Sequence, residues 1–381
     1  MSRTRDLGKI ISGNFDVPAA SLDNVTRSNI SDLGTEALSN RNMIINGSMA
    51  VAQRSTSVTG IGANGTAYHT LDRWQIETGG SNSGRFTMSQ SSDAPNGFGS
   101  SLKLDCTTAD TSIGTGEYLL LEYHLEGQDV QRIKKGTSDA EEITISFYVK
   151  ANAAFNFVLE VLDSANARRC SKLFSTTTGW NRVELTYPAD TTGTIANSNT
   201  TGIRLFFWIH AGSTYTSGTL NSSSFTASPP AANIASGISS FYSSTNNEFY
   251  LTGFQMEVGD TATPFEHRSY GDELAKCQRY FYKVDGAGGQ TYNVHLRTSN
   301  GSGTRAYAQE INLPVTMRTS PSVTVSYQDM HKPGVRYDTI NSVNATGSQQ
   351  SVGLIYDVAN ADVNSISTQV RSLNVTADAE L

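Results

Sequence analysis

Glu122, His124 and Glu126 recur at every second position of the segment LEYHLEGQ. In an extended strand, alternate side chains share one face, so these three would stand in a row. Such a row suggests acid/base work. Glycoside hydrolysis, however, needs two carboxylates flanking one bond, one of them with its pKa raised by burial. A solvated polar strand face gives the same pattern with no special environment, and it is the expectation adopted for this row. The Glu-X-Asp-X-X-Glu strand pattern of glucanase jelly rolls does not occur. Glu141-Glu142 reads as a charged turn ahead of a strand.

Other chemistries lack their residue spacing. The six histidines (69, 124, 210, 267, 295 and 331) form no close pair and no His-Glu-X-X-His motif, so zinc catalysis has no ligand set. Neither a Gly-X-Ser-X-Gly elbow nor a Walker phosphate loop occurs. Cys106, Cys170 and Cys277 are odd in number and far apart, as free thiols would be rather than a disulfide or zinc framework. No catalytic residue, cofactor site or metal site is therefore assigned. A calcium ion at backbone carbonyls near Asp260 is possible chemistry without a supporting motif. Sugar binding suits the composition, because pyranose faces stack on aromatic rings while hydroxyls pair with amides and carboxylates. The carbohydrate-binding residues are unknown at this level, with Tyr215, Tyr242 and Tyr307 as guesses and Trp208 assigned to the core.

The elements that would position these residues are strands. Clean alternation or apolar runs mark Ser101–Cys106, Leu119–Leu125, Ile143–Lys150, Phe155–Leu162, Arg182–Tyr187, Ile203–Ile209 and Glu248–Met256. Clusters of Gly, Asn, Asp, Ser and Pro bound each of them. No strand is followed by a convincing amphipathic helix, so the fold class is mainly β, an antiparallel sandwich or barrel. Residues 210–245 are too long for a hairpin loop and read as a surface excursion with Tyr215, Phe225, Phe241 and Tyr242 as anchors or contacts. A brief helical pattern at Asp272–Tyr282 precedes a second β-rich section, with strands expected at Thr291–Leu296, Arg305–Leu313, Val323–Tyr327, Ser351–Tyr356 and Gln369–Val375. Residues 1–40 carry only a thin apolar stripe (Leu22, Val25, Ile30, Leu33, Ala37), too sparse for an isolated helix. They are either a disordered terminus or a segment ordered by a partner.

Composition agrees. Of 381 residues, 17% are charged and 37% hydrophobic, with 33 Gly, and the net charge is −7. An acidic chain lacks the basic footprint of a nucleic-acid binder. No apolar run reaches the roughly 18 residues of a membrane span. The N-terminal MSRTRDLGKIISGNF has no apolar core of the kind a secretory signal needs, so synthesis in a cytosol is expected.

Four blocks then carry a resemblance. They are NRNMIINGSMAVAQRSTSVTG with YHTLDRWQIE; YHLEGQDVQRI with ITISFYVKAN; TTTGWNRVEL; and FYLTGFQMEVGDTATPFEHRSYGDELAKCQRYFY. In this order they resemble the tail fibres and related adhesins of tailed bacteriophages, over about residues 40–282. The opening MSRTRDLGKIISGNFDVPAASLDNV is similar to the N-terminal segments of such fibres. The resemblance implies a jelly-roll domain related to carbohydrate-binding modules, closed by Met43–Ile45 against Phe249–Leu251. It further implies a virion location after synthesis in the host cytoplasm, a homotrimer, and attachment to a host cell-surface glycan. The domains expected are 1–40, an anchoring or oligomerising segment that docks to tail or other virion proteins; 41–270, the jelly roll; and 271–381, a smaller C-terminal β domain. Neither a nucleic-acid partner nor membrane insertion is expected. The alternatives are a capsid decoration or head fibre, an envelope polysaccharide depolymerase using Glu122 or Glu126, and a cellular carbohydrate-binding module.

Overall fold

The computed structural model describes residues 40–286, 291–299, 304–327, 329–332, 335–337, 340–359 and 368–381. The anchor expectation for residues 1–40 lies, but for Asn40, outside the described residues. Asn42–Leu381 forms one compact unit.

Thirteen strands come first: β1 (Ser57–Ile61), β2 (Gly65–Tyr68), β3 (Trp74–Gly79), β4 (Arg85–Ser91), β5 (Ser101–Thr108), β6 (Tyr118–Glu126) and β7 (Ile143–Ala151). There follow β8 (Asn156–Asp163), β9 (Arg168–Ser175), β10 (Asn181–Tyr187), β11 (Thr201–Ala211), β12 (Thr226–Ala227) and β13 (Glu248–Val258). They make two sheets, one of six strands in the order β1-β4-β5-β13-β7-β10 and one of seven in the order β12-β9-β8-β11-β6-β3-β2. Every pairing is antiparallel. The neighbours are mostly far apart in sequence, which makes the sandwich a jelly-roll type rather than a meander.

The period of two explains the core. Leu119, Leu121, Tyr123 and Leu125 of β6 point inward with Leu205, Phe207 and Ile209 of β11, against Ile145, Phe147 and Val149 of β7 and Phe249, Leu251 and Phe254 of β13. Trp74 stands edge-on to Tyr123 and Phe254, each with centroids 5.2 Å away, as the ring quadrupoles prefer. Cys106, Cys170 and Cys277 are buried free thiols.

The closure expected between Met43–Ile45 and Phe249–Leu251 falls one step further along β13. Met43 N donates to Met256 O, and Phe254 N to Gly47 O, each at 2.9 Å. Residues 249–251 are already occupied by β5 and β7. Gly253 (φ +61°) makes the shift possible, because it sits where the β13–β7 register slips between Thr252 and Gln255.

The helix α1 (Tyr270–Gln278) is capped by Ser269 Oγ, which accepts from Asp272 N. Beyond it lie β14 (Phe281–Val284), β15 (Thr291–Ser299), β16 (Thr304–Asn312), β17 (Ser322–Ser326) and β18 (Asp329–Lys332). The last five strands are β19 (Val335–Tyr337), β20 (Ile340–Gly347), β21 (Ser351–Ala359), β22 (Thr368–Arg371) and β23 (Asn374–Asp378). Two further sheets result, one of three strands, β14-β23-β17, and one of seven, β19-β18-β22-β15-β16-β21-β20; below, the seven-stranded sheet means that of the sandwich. The strand expected at Gln369–Val375 is two strands in different sheets, broken at Ser372, where φ is +50°. This section has its own hydrophobic cluster around Met317, Leu354, Tyr356 and Val375. Its end is tied to the sandwich. The buried Arg73 guanidinium pairs with Glu380, donates to His124 O at 2.6 Å and lies 3.5 Å from the Tyr280 ring centroid.

Candidate functional site

The outward face of the seven-stranded sheet gathers the polar side chains. In register across β3, β6, β11, β8 and β9 stand Gln75, Glu122, Phe206, Glu160 and Ser171. One step away are Glu77, Leu120 and Trp208 on one side, and His124, Arg204, Leu162 and Arg169 on the other. The alternation expected for Glu122, His124 and Glu126 is present, but the solvated face is not. Glu122 and Glu126 are 0% exposed and His124 6%. Burial of a carboxylate is costly unless it is paired, and each has its partner. Arg204 Nη2 donates to Glu122 Oε2 at 2.6 Å. Glu126 accepts from Arg279 at 2.9 and 3.1 Å and from the Tyr280 hydroxyl at 2.6 Å. Glu126 is thereby a structural tie to α1's C-terminal end.

His124 Nε2 lies 3.0 Å from Glu122 Oε2 and 3.1 Å from Arg204 Nε. Burial first, then the two guanidiniums of Arg204 and Arg73, pushes its pKa down to about 3, so the ring is neutral. One nitrogen cannot both accept from Arg204 and donate to Glu122, so the tautomer selects one of the two bonds.

A second buried carboxylate, Glu160, accepts from Trp208 Nε1 at 2.7 Å through Oε2. Its Oε1 is 3.0 Å from Arg169 Nη1, an ion pair whose angles are not those of a hydrogen bond, which leaves Oε1 without a hydrogen-bond donor. Burial raises the pKa of Glu160, and Arg169 and Trp208 oppose the rise. Glu77 is also raised, by burial and then by a hydrogen bond shared with Glu122.

Between these groups lies an open depression of about 220 Å³. Its polar wall is Glu77, Glu160, Arg169 and Arg204, and its apolar wall includes Tyr118, Phe206, Trp208 and Tyr215. The rings are mutually fixed: Tyr215 sits 5.1 Å from Trp208 and 5.7 Å from Tyr118, centroid to centroid. Tyr118 Oη donates to Glu77 Oε1 at 2.8 Å. Tyr215 is brought here by the excursion of residues 210–245, which folds back onto the sheet. Ile234 and Ala235 pack with Leu120, Val158, Leu162, Phe206 and Trp208.

The sequence guesses therefore separate. Tyr215 lines the depression. Tyr242 does not, being wholly buried against Phe86 and Phe241, because its ring fills the space beside Gly84. Tyr307 lies in β16 with its side chain outside the described residues. Trp208 is buried as expected, in the outer cluster under the excursion rather than in the main core. Glu77, Glu160, Arg169 and Arg204 were missed. The available signal was a charged residue inside an apolar run, Glu160 in FVLEVL and Arg204 in IRLFFW. Among the described residues, no group of three His, Cys, Asp or Glu side chains is gathered as metal ligands would be.

The six-stranded sheet has a different outer face. There Trp180 Nε1 donates to Asp93 Oδ1 at 3.0 Å, and Lys150 Nζ lies 4.6 Å from the Tyr250 centroid. Lys103 pairs with Glu248 at 2.7 Å.

The architecture so defined is an antiparallel β-sandwich with an aromatic and polar depression on one outer face. No family model matches the chain, and no curated protein matches it. Among solved structures it is similar to a family 4 carbohydrate-binding module (12% identity, TM-score 0.30), covering 56% of this chain and 97% of that one. It is also similar to a family 61 module in complex with β-1,4-galactotriose (9%, TM-score 0.29, covering 57% and 99%). A third is a family 11 module from Clostridium thermocellum with a β-1,3-1,4-mixed-linked tetrasaccharide (13%, TM-score 0.26, covering 54% and 99%). The sandwich rests on this chain's own strand pairing, independently of these likenesses.

Proposed function

We propose that this protein is a non-catalytic adhesin that binds glycan in the depression on the seven-stranded sheet, as a structural component of a bacteriophage virion. The observation that carries the reading is the pairing of a fixed aromatic wall (Tyr118, Trp208, Tyr215) with the buried Glu160 and the partly exposed Glu77, Arg169 and Arg204 across one small depression. Aromatic faces take the apolar side of a pyranose, and Glu77, Arg169 and Arg204 take its hydroxyls. The volume of about 220 Å³ is below the roughly 300–1,000 Å³ of drug-sized pockets, and it suits one sugar ring.

A binding role rather than hydrolysis is supported by the state of the carboxylates. Glu122 accepts from Arg204, and Glu160 faces Arg169 and accepts from Trp208, so both are oriented by fixed partners, as in a recognition surface. The virion setting is supported by the four sequence blocks and the opening segment, and with it a homotrimeric tail fibre that docks through residues 1–40. In such an assembly weak single sites gain avidity by acting together.

The test is a bacterial-surface glycan array probed with the purified protein and with Tyr215→Ala. Binding that the substitution weakens about tenfold supports the reading. No binding, or binding indifferent to Tyr215, rejects the site, and release of new reducing ends from a bound glycan rejects the non-catalytic role. Sedimentation of the full chain tests the trimer, and antibody labelling of intact virions tests tail against head.

A further inference from the structure

Away from the depression, Lys135 is almost wholly buried just after the 3-10 turn Gly127–Ile133 that leaves β6. Its Nζ lies 2.5 Å from Asp163 Oδ2 at the end of β8 and 2.9 Å from Asp190 Oδ2 in the connection after β10. It also donates to Thr192 O at 2.7 Å and Gly193 O at 3.0 Å, which fix the nitrogen in place. The surroundings are mostly apolar: Ile133, Ile143, Val161, Pro188, Ile203 and Phe225, with Glu141, line a void of about 10 Å³ beside the cluster. That is about the least space that holds one water.

The charges divide unequally. Arg168 engages Asp190 with two hydrogen bonds of 2.8 Å. Burial works against the Asp190 carboxylate, but Arg168 and Lys135 outweigh it and hold the pKa low. Lys135 and Asp163 then remain as a buried ion pair, with Asp163 Oδ2 also accepting from Asn166 Nδ2 at 2.8 Å, an arrangement with a large desolvation cost. Asp163 Oδ1 accepts from two backbone N–H groups, those of Ala165 and Asn166, each at 3.1 Å. Two amide donors on one carboxyl oxygen are what a tetrahedral oxyanion requires.

We infer that Lys135 and Asp163 condense spontaneously to an intramolecular isopeptide bond. Lys135 first passes one ammonium proton to Asp163 Oδ2, 2.5 Å away, and the free amine attacks Cγ, forming the N–C bond while negative charge gathers on Oδ1 under the two backbone N–H groups. The Cγ–Oδ2 bond then breaks. The second proton leaves the acidic nitrogen of the tetrahedral adduct and passes by way of Asp190 to Oδ2, which departs as water. An ammonium and a carboxylate become a neutral amide plus water, so atoms and charge balance, no redox partner is required and Asp190 ends unchanged. Fixed contact between the reacting groups supplies the effective concentration that free amines and carboxylates lack. The bond would join the β6–β7 connection to the end of β8, a covalent tie within a protein proposed to bear load between particle and cell, although the inference stands without that role.

The test is tandem mass spectrometry of a tryptic digest of the denatured full-length protein. The expected result is a branched peptide joining the Lys135 and Asp163 segments, lighter by one water than their sum and uncleaved after Lys135. Lys135→Arg keeps the charge and the pairing but abolishes the branch. Asp190→Asn leaves a mixture of branched and separate peptides. Two separate peptides of full mass in the wild type would overturn the inference. So would a dehydrated Asp163 peptide on its own, since succinimide formation at Asp163-Ser164 loses the same water without the cross-link.

Discussion

On the seven-stranded sheet, Glu122, His124 and Glu160 face outward yet are buried among guanidiniums. On the six-stranded sheet, Lys103, Lys150, Asp93 and Glu248 also face outward, but their side chains remain 20–43% exposed. Both faces alternate polar and apolar residues, and both carry an aromatic ring held by a carboxylate: Trp208 by Glu160, and Trp180 by Asp93. The difference is dielectric. Water screens the ion pairs of the six-stranded face and makes each worth little. On the seven-stranded face, the buried carboxylates cannot lose a partner without leaving an uncompensated buried charge. The cations of the two faces are similarly exposed, Arg169 24% and Arg204 29% against Lys103 22% and Lys150 20%. The contrast lies in the partners: only the seven-stranded face sets them against wholly buried carboxylates, and the proposed glycan site lies there.

The sharpest test of that contrast is Glu160→Ala. It strands the buried Trp208 N–H and removes the partner of Arg169, itself 24% exposed, so urea denaturation at pH 7 is expected to show a loss of about 2 kcal/mol, most of it from the unsatisfied N–H. A loss below about 1 kcal/mol would put the two faces on the same footing.

Acid probes the same network. His124 has a folded pKa of about 3 against a usual 6.5, so below pH 6.5 the unfolded chain binds the proton and the folded one does not. Stability contributed by this group is complete above pH 6.5 and falls as pH drops toward 3. Between pH 7 and 5, wild type is expected to lose about 2 kcal/mol more than His124→Gln. Parallel pH profiles for the two would remove His124 from the account.

For binding, Tyr215→Ala is expected to weaken glycan affinity about tenfold, roughly 1.4 kcal/mol. Trp180→Ala on the other face should leave affinity unchanged. The reverse pattern would move the site to the six-stranded sheet. The smallest effect belongs to Lys103→Ala, whose exposed pairing with Glu248 predicts a change in urea stability under about 1 kcal/mol, reduced further by salt.

Some strands were plain in the sequence and others were not. β6, β7, β8, β11 and β13 announce themselves because long apolar runs or clean alternation sit between turn residues. β4 (RFTMSQS) and β9 (RRCSKLFS) do not, because arginine, serine and lysine dilute the alternation while each still contributes its buried Phe86 or Phe174. Glu122 and His124 were found at the right spacing and given the wrong environment. Their surroundings come from Arg204, about 80 residues further along the chain, and for His124 also from Glu380 and Leu381 at its far end, and no local pattern in β6 signals them.

By itself the sequence determined an antiparallel β protein, the residues of its longest strands, and which side chains of each strand share a face. Those properties follow from a period of two and from turn residues, both local. The order of strands within each sheet was decided only by the tertiary structure. So were the meeting of Arg204 with Glu122, the burial of Tyr242, the folding of the excursion onto the seven-stranded sheet, and the convergence of Lys135, Asp163 and Asp190. The physical reason is that a strand's alternation says which side chains it offers, while its hydrogen-bonding edges accept many partners. Which partner is chosen depends on the burial of the whole core, and that choice sets the dielectric in which each charge acts.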